Sequence, residues 1–280
     1  VHGQSGPLVI IGGAEDKKGE CRILREFLRL GGGRQARVLV MTVATKLPIE
    51  VGMDYVEVFK KLGAEDVRTF DVSSRDAANR DSAVEFVRDA SCIFFTGGDQ
   101  LRITKLLGGT RIDAAIHDAL RNGTPLGGTS AGASMMSSTM IVDGESETNP
   151  RICVVNMAPG MEFMEGAVID QHFAQRGRLG RLVSAVAQYP HHLGLGIDED
   201  TAVIVEGQHF RVLGRGAVSV VDAGVLTHSN LDSVERDESL ALCGIQLHIL
   251  PDGYGFDLHN RTAITDWSQW EANHNKELTK

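Results

Sequence analysis

The chain has 280 residues, 42% of them apolar, with 32 glycines, 7 prolines and a formal net charge of −9. That balance suits a globular chain with a sizeable core and many tight turns, and it excludes a disordered one. The acidic charge argues against general affinity for nucleic acid or an anionic membrane, and no stretch approaches the ~20 apolar residues of a membrane span.

The opening "VHGQSG" is polar and carries no signal-peptide pattern; residues 1–6 are set aside as a candidate tag remnant. "LVIIGG" then reads as a strand entering a glycine turn. "CRILREFLRL" has helical spacing, with Ile23, Leu24, Phe27 and Leu28 on one face, and "GGG" stops it. "RVLVMTVA" is a strand, "MDYVEVFKKLGA" a helix, "DVRTFDV" a strand, "SAVEFVRDA" a helix and "CIFFTGGD" a strand. Two helices follow, "QLRITKLL" and "RIDAAIHDALRNG", and then the strand "PLGGT". This alternation predicts a mainly parallel sheet covered on both faces, with ligands at the carboxyl ends of the strands. Gly12-Gly13, Gly97-Gly98 and Gly127-Gly128 all fall at such ends.

The second half changes character. After the helix "RLGRLVSAVAQY" come "LGLGIDEDTAVIVE", "HFRVLG", "AVSVVDA", "GVLTH" and "LCGIQLHIL", short strands split by Gly, Asp and Asn. They predict antiparallel hairpins that extend the same sheet. No linker or internal repeat interrupts the chain, so residues 1–280 are expected to form one domain, with a loosely packed polar tail over 264–280. The cysteines Cys21, Cys92, Cys153 and Cys243 form no CxxC. Cys92 and Cys243 lie in apolar runs, which predicts buried free thiols and a reducing, cytoplasmic setting.

Ser130 follows the strand "PLGGT" directly, within Gly128-Thr129-Ser130-Ala131-Gly132, a G-x-S-x-G pattern. A serine hydroxyl needs a base, oxyanion donors and a backbone that exposes it. A strand-to-helix elbow with small flanking residues supplies the last, and places the Ala131 N–H toward a developing oxyanion. Among ten histidines, His172 in "VIDQHF" sits at a predicted strand end, where a catalytic base belongs. In "LGLGIDEDTAVIV", strand alternation puts Glu199 on the apolar face with Leu195, Ile197 and Val203. A lone carboxylate there is costly, and the His172 imidazole is a suitable partner. Read without that context, "DED" is an exposed acidic turn and His172 a structural histidine.

Gly97 or Gly98 in "TGGDQ" would let a second backbone N–H approach a substrate, with Gly98 taken as the donor. Arg176, Arg178 and Arg181 follow the base. On a helix whose Leu179, Leu182, Val183 and Val186 face the core they would ordinarily be a solvated face, yet their guanidinium forks suit carboxylates. Asp170 and Gln171 could meet a cationic or amide group. No HExxH, CxxC, Walker loop or dinucleotide fingerprint is present, so neither metal nor cofactor is expected.

"IIGGAED", "FFTGGDQLR", "GGTSAGASMM", "VIDQHFAQRGRLGRL" and "LGLGIDEDTA" together resemble the cyanophycinases and, more widely, the aspartyl dipeptidase (dipeptidase E) serine peptidases. The likeness runs from about residue 8 to about residue 260. It implies a flavodoxin-like α/β fold of the class I glutamine amidotransferase kind, and its chain order Ser, His, Glu differs from the Ser, Asp, His of α/β-hydrolases. The implied activity is that of a cofactor-free, intracellular, homodimeric serine exopeptidase. It would release β-aspartyl-arginine from cyanophycin, a poly-aspartate carrying arginine on its β-carboxylates. The resemblance puts the nucleophile on Ser130, the base on His172 and the acid on Glu199. It puts the substrate pocket on Gln100, Asp170, Gln171, Arg176, Arg178 and Arg181. "MTVATKLP" departs from the Pro-Ser-Ala-Ser-like turn common in such proteins. The competing readings are an α-aspartyl or isoaspartyl dipeptidase, a general esterase with a more apolar pocket, and a binding protein with an inactive site.

Overall fold

The computed structural model describes residues 5–278; the first four residues of the candidate tag remnant lie outside the described residues. The first half alternates as its pattern predicts. The strands are β1 (Leu8–Ile11), β2 (Arg37–Met41), β3 (Asp66–Phe70), β4 (Cys92–Phe95) and β5 (Leu126–Thr129). Between them run α1 (Arg22–Leu30), α2 (Pro48–Lys61), α3 (Arg75–Ala78), α4 (Asp81–Asp89), α5 (Gln100–Leu107) and α6 (Arg111–Arg121). All five strands pair in parallel, in the order β1-β5-β4-β2-β3. Successive strand residues feed opposite cores. Ile10, Leu39, Met41 and Phe95 pack on one side, and Val9, Ile11, Val38, Val40 and Phe94 on the other. That two-sided burial is why these strands read as unbroken apolar runs. Burying each such side chain contributes roughly 1.5–3 kcal/mol. In α1, Ile23, Leu24, Phe27 and Leu28 form the buried face, as their spacing requires.

The second half comprises α7 (Ala131–Ser134), β6 (Thr139–Gly144), β7 (Val155–Pro159), β8 (Ala167–Gln171), α8 (Leu179–Gln188), β9 (Leu193–Ile197), β10 (Thr201–Glu206), β11 (His209–Gly214) and β12 (Ala217–Asp222). It closes with β13 (His228–Ser229), β14 (Leu242–Cys243), β15 (Gln246–Pro251), β16 (Gly255–Asp257), β17 (Thr262–Ile264) and α9 (Trp267–Leu278). Only part of it extends the first sheet. β10, β11, β16 and β17 add antiparallel to β1 and complete nine strands. β15, β12, β9 and β8 instead build a separate four-stranded sheet, in which β8 and β9 run parallel.

Four expectations change. "LGLGIDEDTAVIVE" is two strands in two sheets, broken at Asp198–Asp200, because the aspartates turn the chain there: Asp198 accepts from the backbone N–H groups of Ala174 and Ala217 at 3.0 Å each. Leu179 is 45% exposed while Leu182, Val183 and Val186 are buried, since α8 begins with that residue outside the core. Cys243 is exposed, because the β13–β14 ribbon lies outside both large sheets; Cys21 and Cys92 are buried, and all four cysteines are free. The start of the expected loose tail packs: β17 pairs with β16, and the ring of Trp267 is buried against Gly255, where a Cβ would sit 2.5 Å from it.

Candidate active site

Ser130 stands between β5 and the one-turn helix α7 at φ 53°, ψ −110°. Such a backbone conformation costs about 1–3 kcal/mol and persists only where the surroundings over-determine it. They do so here. The Ser130 N–H donates to the Ile11 carbonyl at 3.1 Å. The two glycines of the motif let the elbow close: a Cβ on Gly128 would lie 2.2 Å from the Gly132 carbonyl oxygen, and one on Gly132 would lie 2.5 Å from that of Phe95. The hydroxyl is thereby held at the carboxyl end of the parallel sheet.

His172 follows β8 immediately, with φ 47°. Its N–H donates to the Gly12 carbonyl at 2.8 Å. Its ring packs on Gly13, where a Cβ would fall 2.3 Å from the imidazole. Nε2 lies 3.1 Å from Ser130 Oγ, and Nδ1 lies 2.6 Å from Glu199 Oε1. Glu199 is thus brought to the histidine, but from the turn between β9 and β10 and not from a strand interior. The turn is tied down on both sides: Gln175 accepts from the Glu199 N–H at 3.0 Å, and the Asp200 N–H donates to Gly13 at 2.9 Å. Burial pushes the His172 imidazole below its ordinary value, against the lift from the Glu199 hydrogen bond. The cations Arg176 and Arg178 push the same way as burial. The ring is therefore neutral at pH 7, in the state that can accept a serine proton while Glu199 holds the opposite nitrogen.

Gly97 rests on Ser130, with room for a Cβ 3.4 Å from Ser130 Cβ. Gly98, at φ 145°, is held by the divergent "TVATKLP" stretch: a Cβ there would strike the Ala44 carbonyl at 2.2 Å. The Asp99 N–H donates to the same carbonyl at 2.9 Å. Gly98 lies in the turn after β4 and Ala131 opens α7 directly after Ser130.

The charged residues divide. Asp170 is 1% exposed and Arg181 5%, and they face each other in a bidentate pair, with Nε to Oδ2 at 2.7 Å. Arg178 is buried too. It donates to the Gln171 carbonyl at 2.5 Å and reaches the Gln171 side-chain oxygen at 3.3 Å. Burial pulls its guanidinium down to about 10, still charged at neutral pH. Gln171 lies beside the nucleophile, its side-chain oxygen 3.5 Å from Ser130 Oγ. Gln100 uses its amide to bind the Ile141 and Val142 carbonyls at 3.0 and 2.6 Å. Arg176 is exposed and free to meet a solute. Among the described residues no cluster of His, Cys, Asp or Glu could hold a metal ion, and no helix is long and apolar enough to cross a membrane.

Residue-by-residue reading missed the role of "IGGAED". Gly12 and Gly13 brace the histidine and the Asp200 turn, and Glu15 is a buried carboxyl group bonded to Thr129, next to Ser130. The signal is a glycine pair at a strand end followed by an acid.

A parallel sheet that raises a serine at a strand-to-helix elbow, beside a histidine–glutamate pair, is the arrangement of an α/β serine hydrolase. Residues 8–213 match the family described as peptidase family S51, and the chain belongs to that family. A cyanophycinase from Nostoc sp. is 39% identical over 259 residues, 92% of this chain and 87% of that protein. One from Geminocystis herdmanii is 39% identical over 256 residues, 91% of this chain and 93% of its own. The crystal structure of a peptidase from an acI-B1 Actinobacterium superposes with a TM-score of 0.65 at 20% identity, covering 91% of this chain and 98% of that one, a likeness of fold.

Proposed function

We propose that this peptidase hydrolyses cyanophycin from a chain end, releasing β-aspartyl-arginine through an acyl-enzyme on Ser130. The observation that carries the mechanism is the unbroken line Ser130 Oγ–His172 Nε2–Nδ1–Glu199 Oε1, at 3.1 and 2.6 Å. Ser130 Oγ attacks the scissile carbonyl and its proton passes to His172 Nε2. The tetrahedral oxyanion faces the N–H groups of Gly98 and Ala131. Collapse breaks the C–N bond, and the leaving amine takes the proton from His172. Water, deprotonated by the same nitrogen, then releases the acyl group and restores the serine.

The names of the relatives support cyanophycin as the substrate. The charges fit it, for the polymer carries carboxylates and guanidinium groups. Arg176 would meet a carboxylate directly, while Gln171, held by Arg178, presents an amide oxygen beside the nucleophile. Asp170 and Arg181 serve that arrangement from beneath, as a neutral pair that anchors the end of β8. A groove of 630 Å³ between Glu147–Pro150 and Gly177–Val183 begins one residue from Arg176 and offers room for a longer chain. The enzyme is taken as a cytoplasmic homodimer of one-domain subunits that needs no cofactor.

Purified protein with insoluble cyanophycin should release β-aspartyl-arginine without added metal, and Ser130→Ala should lower turnover by about 10⁴-fold or more. Full activity in that variant refutes the mechanism. Cleavage of α-aspartyl or isoaspartyl dipeptides with the polymer left intact refutes the substrate.

A further inference from the structure

Glu15 is 5% exposed, and the reaction just described does not use it. Two hydroxyl donors and one cation converge on its carboxyl group. Thr129 Oγ1 donates to Oε2 at 2.6 Å, the buried Tyr55 hydroxyl donates to Oε1, and Lys17 Nζ lies 3.9 Å from Oε1 and 4.2 Å above the Tyr55 ring. Burial, reinforced by the Glu15 carboxyl, holds the Tyr55 hydroxyl well above its ordinary value, so it stays a donor. A carboxyl group buried only to link α2 to a loop would need no contact with the nucleophile strand. This one grips Thr129, the residue that precedes Ser130.

The loop on its other side is equally specific. Gly12 accepts from His172 N–H, Gly13 accepts from Asp200 N–H, and Asp16 N–H donates to Asp200 Oδ1 at 2.8 Å. Glu15 therefore lies between the residues that hold the histidine and those that hold the glutamate's turn, and it reaches across to the serine's neighbour. We infer that Glu15 is a positioning residue, which acts through Thr129 to set the strained Ser130 backbone at its distance from His172. This inference rests on the proposed serine mechanism.

Thr129→Val keeps shape and removes the hydroxyl, while Thr129→Ser keeps the hydroxyl. The test reads kcat and KM on cyanophycin and the rate at which a fluorophosphonate probe labels Ser130, with Ser130→Ala as the blank. Thr129→Val and Glu15→Gln should each lower kcat and labelling by about tenfold or more, with KM within about twofold, because a small displacement of a reacting group is costly. Thr129→Ser should recover most of the rate. If Thr129→Val labels and turns over like the wild type, or Thr129→Ser is as slow as Thr129→Val, the positioning role is wrong while the serine mechanism stands. If the wild type is not labelled at Ser130, the serine mechanism fails and this inference with it. Should Glu15→Gln not fold, the two Thr129 variants decide the matter.

Discussion

The two sheets divide the active-site work unequally. The nine-stranded sheet presents Ser130 from the end of one buried strand, and most of what shapes its elbow is near in sequence, two glycines, one positive φ and one helical turn, with the Ile11 carbonyl and Glu15 bracing it from β1 and the loop that follows. The four-stranded sheet presents His172, and the chain crosses from the second sheet to the first at the turn that carries Glu199. The serine elbow is thus built mainly within one supersecondary unit. The positions of His172 and Glu199 depend on how the two sheets meet, and the Gly12 and Gly13 carbonyls, at the end of β1, accept the N–H groups of His172 and Asp200. A local motif can be read as a pattern, whereas an assembled pair needs braces that lie far off in the chain.

Three perturbations separate these contributions. The largest effect is expected at the crossing. Glu199→Gln should leave the serine elbow intact but lose the anion that fixes the His172 tautomer, lowering kcat by about 10²- to 10⁴-fold, measured as turnover at saturating substrate. An unchanged kcat would place the orienting acid elsewhere. Next comes the support under β8. Asp170→Asn strands the Arg181 charge in a buried site, which should cost about 3–5 kcal/mol in denaturant unfolding. A loss well under that would show that the pair is hydrated and open to substrate. The mildest concerns pH. Burial lowers the His172 pKa from its ordinary value, so the acid limb of kcat/KM should lie at lower pH than a free imidazole would give. Removing a cation favours the protonated ring, so Arg176→Ala should move the acid limb to higher pH while raising KM. The sign for stability is the same: the unfolded chain binds that proton more readily than the fold, so acidification disfavours the native state.

Much of the fold was legible. β1 to β5 are short and buried on both faces, and the helices between them carry apolar stripes, so pattern alone orders them. The four-stranded sheet was not legible, because strand pairing is long-range and its strands look like those that extend the first sheet. At the site, Ser130 and His172 were read from strand ends. Glu199 was picked out for a reason the structure replaces: it sits in the acidic turn that periodicity had set against a strand interior. Arg178 and Arg181, read as forks for substrate carboxylates, are buried, and their forks are taken up by the Gln171 carbonyl and Asp170. Composition carries no trace of that pairing.

By itself the sequence determined the parallel half of the sheet, the elbow at Ser130 and the family to which the chain belongs. Periodicity, glycine placement and motif spacing are local properties, and they survive reading in one dimension. Only the tertiary structure decided that two sheets share the site, that Glu199 reaches His172 from a turn, and that one buried carboxyl group, Glu15, touches the residue next to the nucleophile. Those facts depend on groups 114 residues apart in the chain, as between Glu15 and Thr129, meeting within a hydrogen bond's length.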